Sequence, residues 1–365
     1  MHDKVRIGVA GYGPRGRQMA YIARLLPECC VLTAIGDICD EALERAKGDF
    51  PDVRLFHQTE ELLTSGLIDA VITEIPPEAH TECVVRALGL GIHVLGEIPC
   101  VNSIEEGERL WKAASESKAI YMCGSNPNYH ARTRFILRLK ELGLLGRIAY
   151  VEAEYVHGTG DPVKKVTWRT AYEPCRYCTH SLGPVLALTG EEFTHVSCMS
   201  TYDRLGNGRA HNAMSALLRT RDNLVVRLLT AFGMPSQGPQ HTIRIFSEKA
   251  TLWVYSEKVR VWFKEMKEFQ TFHNDDNFIE FPLMPNRNSR PQNLHIIDED
   301  IFEKASFGHA GADNYMLKAF AEAILEGRPS PLGVREGLAM TLPGLYASAS
   351  AAEGGELKRI IYPWG

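Results

Sequence analysis

A chain of 365 residues exceeds the usual single-domain size and carries ample apolar sequence for a sizeable core. Its net charge of −5, with 23% charged residues of both signs interspersed, leaves no basic face for nucleic acid and no polybasic patch for a membrane. No apolar run is long enough to span a bilayer, Met1-His2-Asp3-Lys4 enters the first apolar run without a leader, and nine cysteines scattered through a large chain read as reduced thiols, so a cytoplasmic protein with small soluble ligands is expected.

The segment Val5 to Gly16 predicts a buried strand running into a glycine-rich turn, then a helix from about Arg15 to Leu26. Gly11 allows a tight turn, Gly13 lets bare backbone approach a pyrophosphate, and Gly16 lets helix and strand pack closely. The turn, with Tyr12, Pro14 and Arg15 between its glycines, then offers the free N–H groups of a helix start to an anion. A second strand, Val31 to Gly36, ends at Asp37, which lies 21 residues past Gly16. A carboxylate at that spacing accepts hydrogen bonds from the adenosine ribose and repels a 2′-phosphate, so NAD is expected rather than NADP. Capping of the next helix is the plainer reading of Asp37.

A helix over Glu41 to Lys47 and a short strand Arg54-Leu55-Phe56 follow. A strand Leu67 to Thr73 ends at Glu74-Ile75-Pro76-Pro77, and a helix His80 to Leu88 starts beside the expected cofactor. Strand His93 to Gly96 stops at Glu97-Ile98-Pro99, then helix Ile104 to Lys118 and strand Ile120 to Gly124 complete the unit. Alternating strands and helices of this kind call for a doubly wound parallel Rossmann sheet over residues 1–125.

Residues 126–365 read as a second, α+β domain, built on a large, mostly antiparallel, open-faced sheet. Helix Ala131 to Leu142, strand Ile148 to His157 and a helix starting near Ser181 precede an antiparallel meander over Thr194 to Phe272. Asn274 to Asn293, polar and proline-bearing, predicts a long loop, and helices over Ala312 to Glu326 and Val334 to Ala352 close the chain, free to pack back on the first domain. The uncovered sheet face predicts a homodimer or homotetramer.

The turn Gly11 to Gly16, Glu97-Ile98-Pro99 at the end of the fifth strand, and His180 at the mouth of a helix together resemble the glucose-fructose oxidoreductase and inositol dehydrogenase (Gfo/Idh/MocA) family over essentially the whole chain. Most dehydrogenases of that family carry Glu-Lys-Pro where this chain has Glu97-Ile98-Pro99. Isoleucine moves no proton, so acid and base work must come from elsewhere. Tyr177-Cys178-Thr179-His180-Ser181-Leu182-Gly183-Pro184 and Gly308-His309-Ala310-Gly311-Ala312-Asp313 are similar to segments of the NAD-dependent α-N-acetylgalactosaminidase-like branch, which also lacks the lysine.

That resemblance implies a carbohydrate substrate and a cycle of sugar C3 oxidation, elimination of the C1 substituent, water addition and re-reduction. It implies His180, Tyr177, Tyr129 and Glu97 as catalytic groups, and His180, Tyr177 and His309 on the substrate. Cofactor contacts are implied at Ile75, Pro76, His80, Glu97, Pro99 and Asn126, and at the pair Trp168 and Arg169, with Pro99 following a tight bond that can be cis. A simple NAD-dependent sugar or polyol dehydrogenase, and a noncatalytic NAD-binding regulatory protein, stay open. So do plainer readings of the residues: His180 as a cap or core group, Tyr177 and Tyr129 as core aromatics, His309 as a loop brace. Cys175, Cys178 and His180 have the spacing of metal ligands, but no second Cys-x-x-Cys completes a structural site, so no metal is expected.

Overall fold

The computed structural model describes residues 3–158, 172–206, 208–234, 240–255, 258–265, 278–283 and 309–365. Two compact units are present: Met1–Tyr129 with Ser306–Leu338 and Trp364, and His130–Ala305 with Ala339–Pro363 and Gly365.

The first unit is built on six parallel strands among the described residues: β1 (Val5–Ala10), β2 (Cys30–Gly36), β3 (Arg54–Phe56), β4 (Ala70–Thr73), β5 (His93–Gly96) and β6 (Tyr121–Cys123). Their order is β3-β2-β1-β4-β5-β6. Strands β1 and β4 are almost wholly buried apolar runs, as a sheet covered on both faces requires. Five helices connect them: α1 (Pro14–Arg24), α2 (Asp40–Asp49), α3 (Thr59–Thr64), α4 (Pro77–Gly89) and α5 (Ile104–Glu116). Local chemistry sets α5, whose N-cap Ser103 Oγ accepts from the Glu106 N–H at 3.1 Å while the Glu106 carboxylate accepts from the Asn102 N–H at 2.7 Å. Such a reciprocal cap contributes on the order of 1 kcal/mol.

In the second unit α6 (Ala131–Glu141) and β7 (Ile148–Gly158) lead to a 3-10 turn Pro174–Tyr177 and to α7 (Thr179–Thr189). The remaining strands are β8 (Phe193–Ser200), β9 (Ala213–Thr220), β10 (Val225–Met234), β11 (Gln240–Ser247), β12 (Ala250–Val254), β13 (Lys258–Phe263), β14 (Ile279–Pro282) and β15 (Lys358–Arg359). They form a nine-stranded sheet ordered β14-β13-β12-β11-β7-β10-β9-β8-β15. Two helices close the account: α8 (Ala312–Leu325), whose Met316, Leu317, Phe320 and Ala321 enter the first unit's core, and α9 (Val334–Ala352).

The second sheet departs from a pure meander. β7 takes the centre and pairs with β10 in parallel and with β11 antiparallel, because the chain leaves β7 through a long connection and returns twice beside it. β14 lies inside the segment expected to be loop: its Ile279-Glu280-Phe281 run is short, but antiparallel pairing to β13 satisfies its backbone. Residues 274–277 and 284–293 of that segment lie outside the described residues.

Candidate active site

The glycine turn shows three different uses of a missing side chain. Gly11 has φ +90°, and a Cβ there would lie 2.3 Å from the Glu74 carbonyl oxygen. A Cβ on Gly16 would sit 1.8 Å from the Gly11 carbonyl oxygen, so helix α1 approaches β1 only because this position is bare. Gly13 meets nothing within 4 Å, which leaves open space above its backbone. It also N-caps α1 with no side-chain cap and Pro14 at the first position, so the first-turn N–H groups stay available for an oxyanion.

Asp37 closes the opposite side of the turn. Its Oδ2 accepts the Tyr12 N–H at 2.5 Å and its Oδ1 the Cys39 N–H at 2.8 Å. The helix that follows is N-capped by Cys39 with no side-chain cap, so Asp37 steadies the backbone just before the helix and does not cap it; each of its oxygens carries two acceptor sites, so the carboxylate keeps capacity for a diol. Open backbone at Gly13, an uncapped helix start and a half-used carboxylate fit the pyrophosphate and adenosine ribose of a dinucleotide. Tyr12 sends its fully buried side chain into the core instead, donating its hydroxyl to Asp49 at 2.7 Å. His80 is buried too: its Nε2 lies 2.7 Å from Thr73 Oγ1, and burial pushes its pKa down to about 4, so it is a neutral brace behind the ends of β4 and β5.

At the carboxyl ends of β4 and β5 the charges converge. Arg15 donates both terminal nitrogens to Asp313, at 2.7 and 2.8 Å, and lies 3.7 Å from Glu74 and 3.6 Å from Glu97 through Nε. Asn126 Nδ2 donates to Asp313 at 3.1 Å, and His309 Nδ1 is 2.8 Å from the same carboxylate. Thus the segment singled out around residue 309 meets the glycine turn through Asp313, a residue that sequence reading quoted only as part of a motif. Ile98 is buried, the Ile98–Pro99 bond is cis, and the Ile75 side chain packs against Gly11. Pro76 caps α4 from an exposed position. Tyr129 packs against the first unit's core, and burial raises its phenol well above the usual value.

In the second unit Tyr177 and His180 stack at 4.6 Å with their planes 25° apart. Three further rings join them that sequence reading missed. Tyr155 lies 4.8 Å from His180 and 4.5 Å from His241, and His157 lies 5.8 Å from Tyr155. Residues 155 and 157 share one face of β7 by strand parity, His241 sits opposite Tyr155 on β11, and Phe232 opposite His157 on β10. The available signal was the i, i+2 pair on β7; its completion needed the register. His180 lies in the first turn of α7, not before it. The result is a patch of three imidazoles and two phenols, able to donate, accept and relay protons at neutral pH.

Cys175 and Cys178 turn elsewhere: the Cys175 thiol is 3.7 Å from that of Cys198, and Cys178 donates to the Met340 carbonyl at 3.2 Å. Trp168 and Arg169 lie outside the described residues.

Residues 5–125 match the Gfo/Idh/MocA family model, described as an oxidoreductase family with an NAD-binding Rossmann fold. An α-N-acetylgalactosaminidase of Shewanella oneidensis is 28% identical over 220 residues, covering 54% of this chain and 48% of that protein. A glycosyl hydrolase family 109 protein of Saccharopolyspora erythraea is 26% identical over 222 residues, 55% of this chain and 48% of its own length. The chain therefore spans about half the length of the curated relatives it matches. Among solved structures, levoglucosan dehydrogenase in complex with NADH and L-sorbose superposes with a TM-score of 0.83 at 17% identity, over 99% of this chain and 100% of that one. The scyllo-inositol dehydrogenase of Lactobacillus casei gives 0.75 at 19% identity, over 98% and 99%. At such identities the likeness is one of fold. No helix of the described residues is long and apolar enough to cross a membrane.

Proposed function

We propose that the protein is an NAD-dependent, sugar-active enzyme that cleaves a glycoside without net oxidation. The observation that carries the reading is the stacked Tyr177–His180 pair with Tyr155 and His241 beside it, in a chain whose Glu97-Ile98-Pro99 segment offers no lysine. When bound, NAD supplies a reversible hydride acceptor for the C3 hydrogen of the sugar, which acidifies the C2 proton and lets the C1 substituent leave. The imidazole of His180 takes the hydroxyl proton, and the Tyr177 phenol, stacked on that ring, moves the C2 proton. Both groups are held by neighbouring rings, so they keep their aim without spending rotamer entropy. His309 and Asn126 orient Asp313 and, through it, Arg15 at the cofactor turn.

Partners and setting follow the same reading: a small carbohydrate as substrate, a homodimer or homotetramer, and the cytoplasm, where nine free thiols stay reduced. With catalytic NAD+ and a panel of p-nitrophenyl glycosides, phenol should appear over many turnovers while NADH absorbance stays flat. His180→Ala should lower the rate about 10²- to 10⁴-fold, the range of one positioned acid or base. Stoichiometric NADH without phenol would assign a simple dehydrogenase, and nucleotide binding without turnover a regulatory protein.

A further inference from the structure

The cluster at the cofactor turn holds more negative charge than its cation can balance. Arg15 spends its fork on Asp313, so only its Nε edge faces Glu74 and Glu97, beyond hydrogen-bonding distance at 3.7 and 3.6 Å. Among the described residues three carboxylates thus stand against one guanidinium, and the Glu74 and Asp313 side chains are only 3% and 0% exposed. A protonated His309, 2.8 Å from Asp313, would still leave the count at three to two. Among the described residues the other groups facing the pair add no positive charge. Burial raises the Tyr121 phenol on β6 well above its usual value, and a hydrogen bond with Cys100 together with burial does the same for the Cys123 thiol.

Uncompensated charge in such a place costs several kcal/mol, and the common resolution is a proton shared between neighbouring carboxyls. The geometry allows it, since one oxygen of each of the Glu74 and Glu97 carboxyls lies against the same Arg15 Nε, at 3.7 and 3.6 Å, and two carboxylates crowded together can hydrogen-bond to each other only with a proton between them. Burial and the neighbouring Glu97 raise Glu74 well above the usual carboxylate range, and burial raises Glu97. Asp313 goes the other way: against its burial, His309 and Arg15 hold it low.

Position gives the shared proton a use. The strand order reverses between β1 and β4, which is where a dinucleotide crosses such a sheet, and Asp37 marks the β2 side as the adenosine half. Glu74 and Glu97 follow β4 and β5, on the half left for the nicotinamide. We infer that Glu74 and Glu97 hold one proton between them when the nicotinamide ring beside them is neutral, and release it when the ring is the oxidised cation. The pair then acts as a counter-charge whose protonation follows the cofactor's redox state. Alcohol oxidation breaks a C–H and an O–H bond: the first hydrogen leaves with both electrons as hydride, and the proton of the second is matched by the one the pair takes up. Re-reduction of the ketone reverses both movements, so nothing is lost to solvent in a closed cycle.

This inference rests on NAD binding at the glycine turn and on no particular sugar. Calorimetric titration of the nucleotide-free full chain with NAD+ and with NADH, each in two buffers of different ionisation enthalpy, counts the protons exchanged. NAD+ should release about one proton more than NADH near neutrality, and its affinity should rise up to about tenfold per pH unit while that of NADH stays level. In Glu74→Gln the proton difference and the pH slope should both vanish with nucleotide binding retained. Glu97→Gln gives the same reading should the first variant not fold. Equal proton counts for the two nucleotides in the unaltered chain, or an unchanged difference in the Gln variants, overturn the inference and leave the function standing. Binding of neither nucleotide overturns both.

Discussion

A neutral imidazole behind the strand ends makes His80 a pH-sensitive part of the fold. In the unfolded chain a histidine titrates near 6.5, whereas in the folded one burial pushes His80 down to about 4. Between those values the unfolded chain binds a proton that the native chain refuses. The stabilisation is therefore whole above about 6.5 and is lost as pH falls toward 4, amounting to about 3 kcal/mol across the window. Glu74 works with the opposite sign: its proton is held by the native chain, so its contribution is whole below the ordinary carboxylate range and is lost as pH rises through its raised value. Because the two slopes oppose each other, the unaltered chain alone is a poor readout. Urea midpoints at pH 7.5 and 5.5 should show His80→Gln losing less stability on acidification than the unaltered chain. Equal losses would mean that the imidazole is not held neutral.

At the scale of the turn and its helix, the three glycines separate folding from binding. Gly16→Ala forces a Cβ to within 1.8 Å of a backbone oxygen that has no room to retreat, so the contact between α1 and β1 must open. A loss of about 1–3 kcal/mol is expected, together with loss of nucleotide binding. Gly13 has φ −66°, which alanine adopts freely, and nothing stands within 4 Å of the new methyl group. Gly13→Ala should therefore leave the melting temperature in place and weaken NAD binding tenfold or more, because the methyl group enters the space left for the pyrophosphate. A Gly13→Ala protein that binds NAD normally would remove the phosphate from that place.

These elements were legible because their signals are local: a glycine spacing and a strand end. The same holds for the Tyr177–His180 pair, three residues apart at the start of a helix. Tyr155, His157 and His241 were not legible, since their meeting depends on β7 lying between β10 and β11 and on the register that sets Tyr155 against His241. The surplus charge at Arg15 was hidden for a related reason. Glu74, Glu97 and Asp313 are 23 and 216 residues apart along the chain, and only the sheet order and the return of α8 to the first unit bring them to one guanidinium.

For the whole molecule the open question raised by the second sheet is what covers its outer face. Alternation puts Val151, Ala153 and Tyr155 of β7 on the buried side, and so gives the other side Glu152 and Glu154, with Arg227 from β10 and Arg244 from β11 bridging them at 2.9 to 3.3 Å. Next to those bridges Arg244 and Arg260 lie over the Trp253 ring, and Leu217 and Met199 are 54% and 62% exposed. Paired charges, aromatic faces and bare aliphatic groups on one broad surface make a patch that can meet a second copy of itself about a two-fold axis. Sedimentation velocity at micromolar concentration should then show a dimer or tetramer. Leu217 stands opposite Arg227 in the β9–β10 pairing, so a Leu217→Glu chain gains an ion pair as a monomer and should keep its melting behaviour. In a dimer buried on this face the same change puts extra carboxylates at a covered surface, so the variant should sediment as a monomer. A Leu217→Glu protein that keeps its assembly would move the interface away from β9, and an unaltered chain that sediments as a monomer would leave the outer face to solvent.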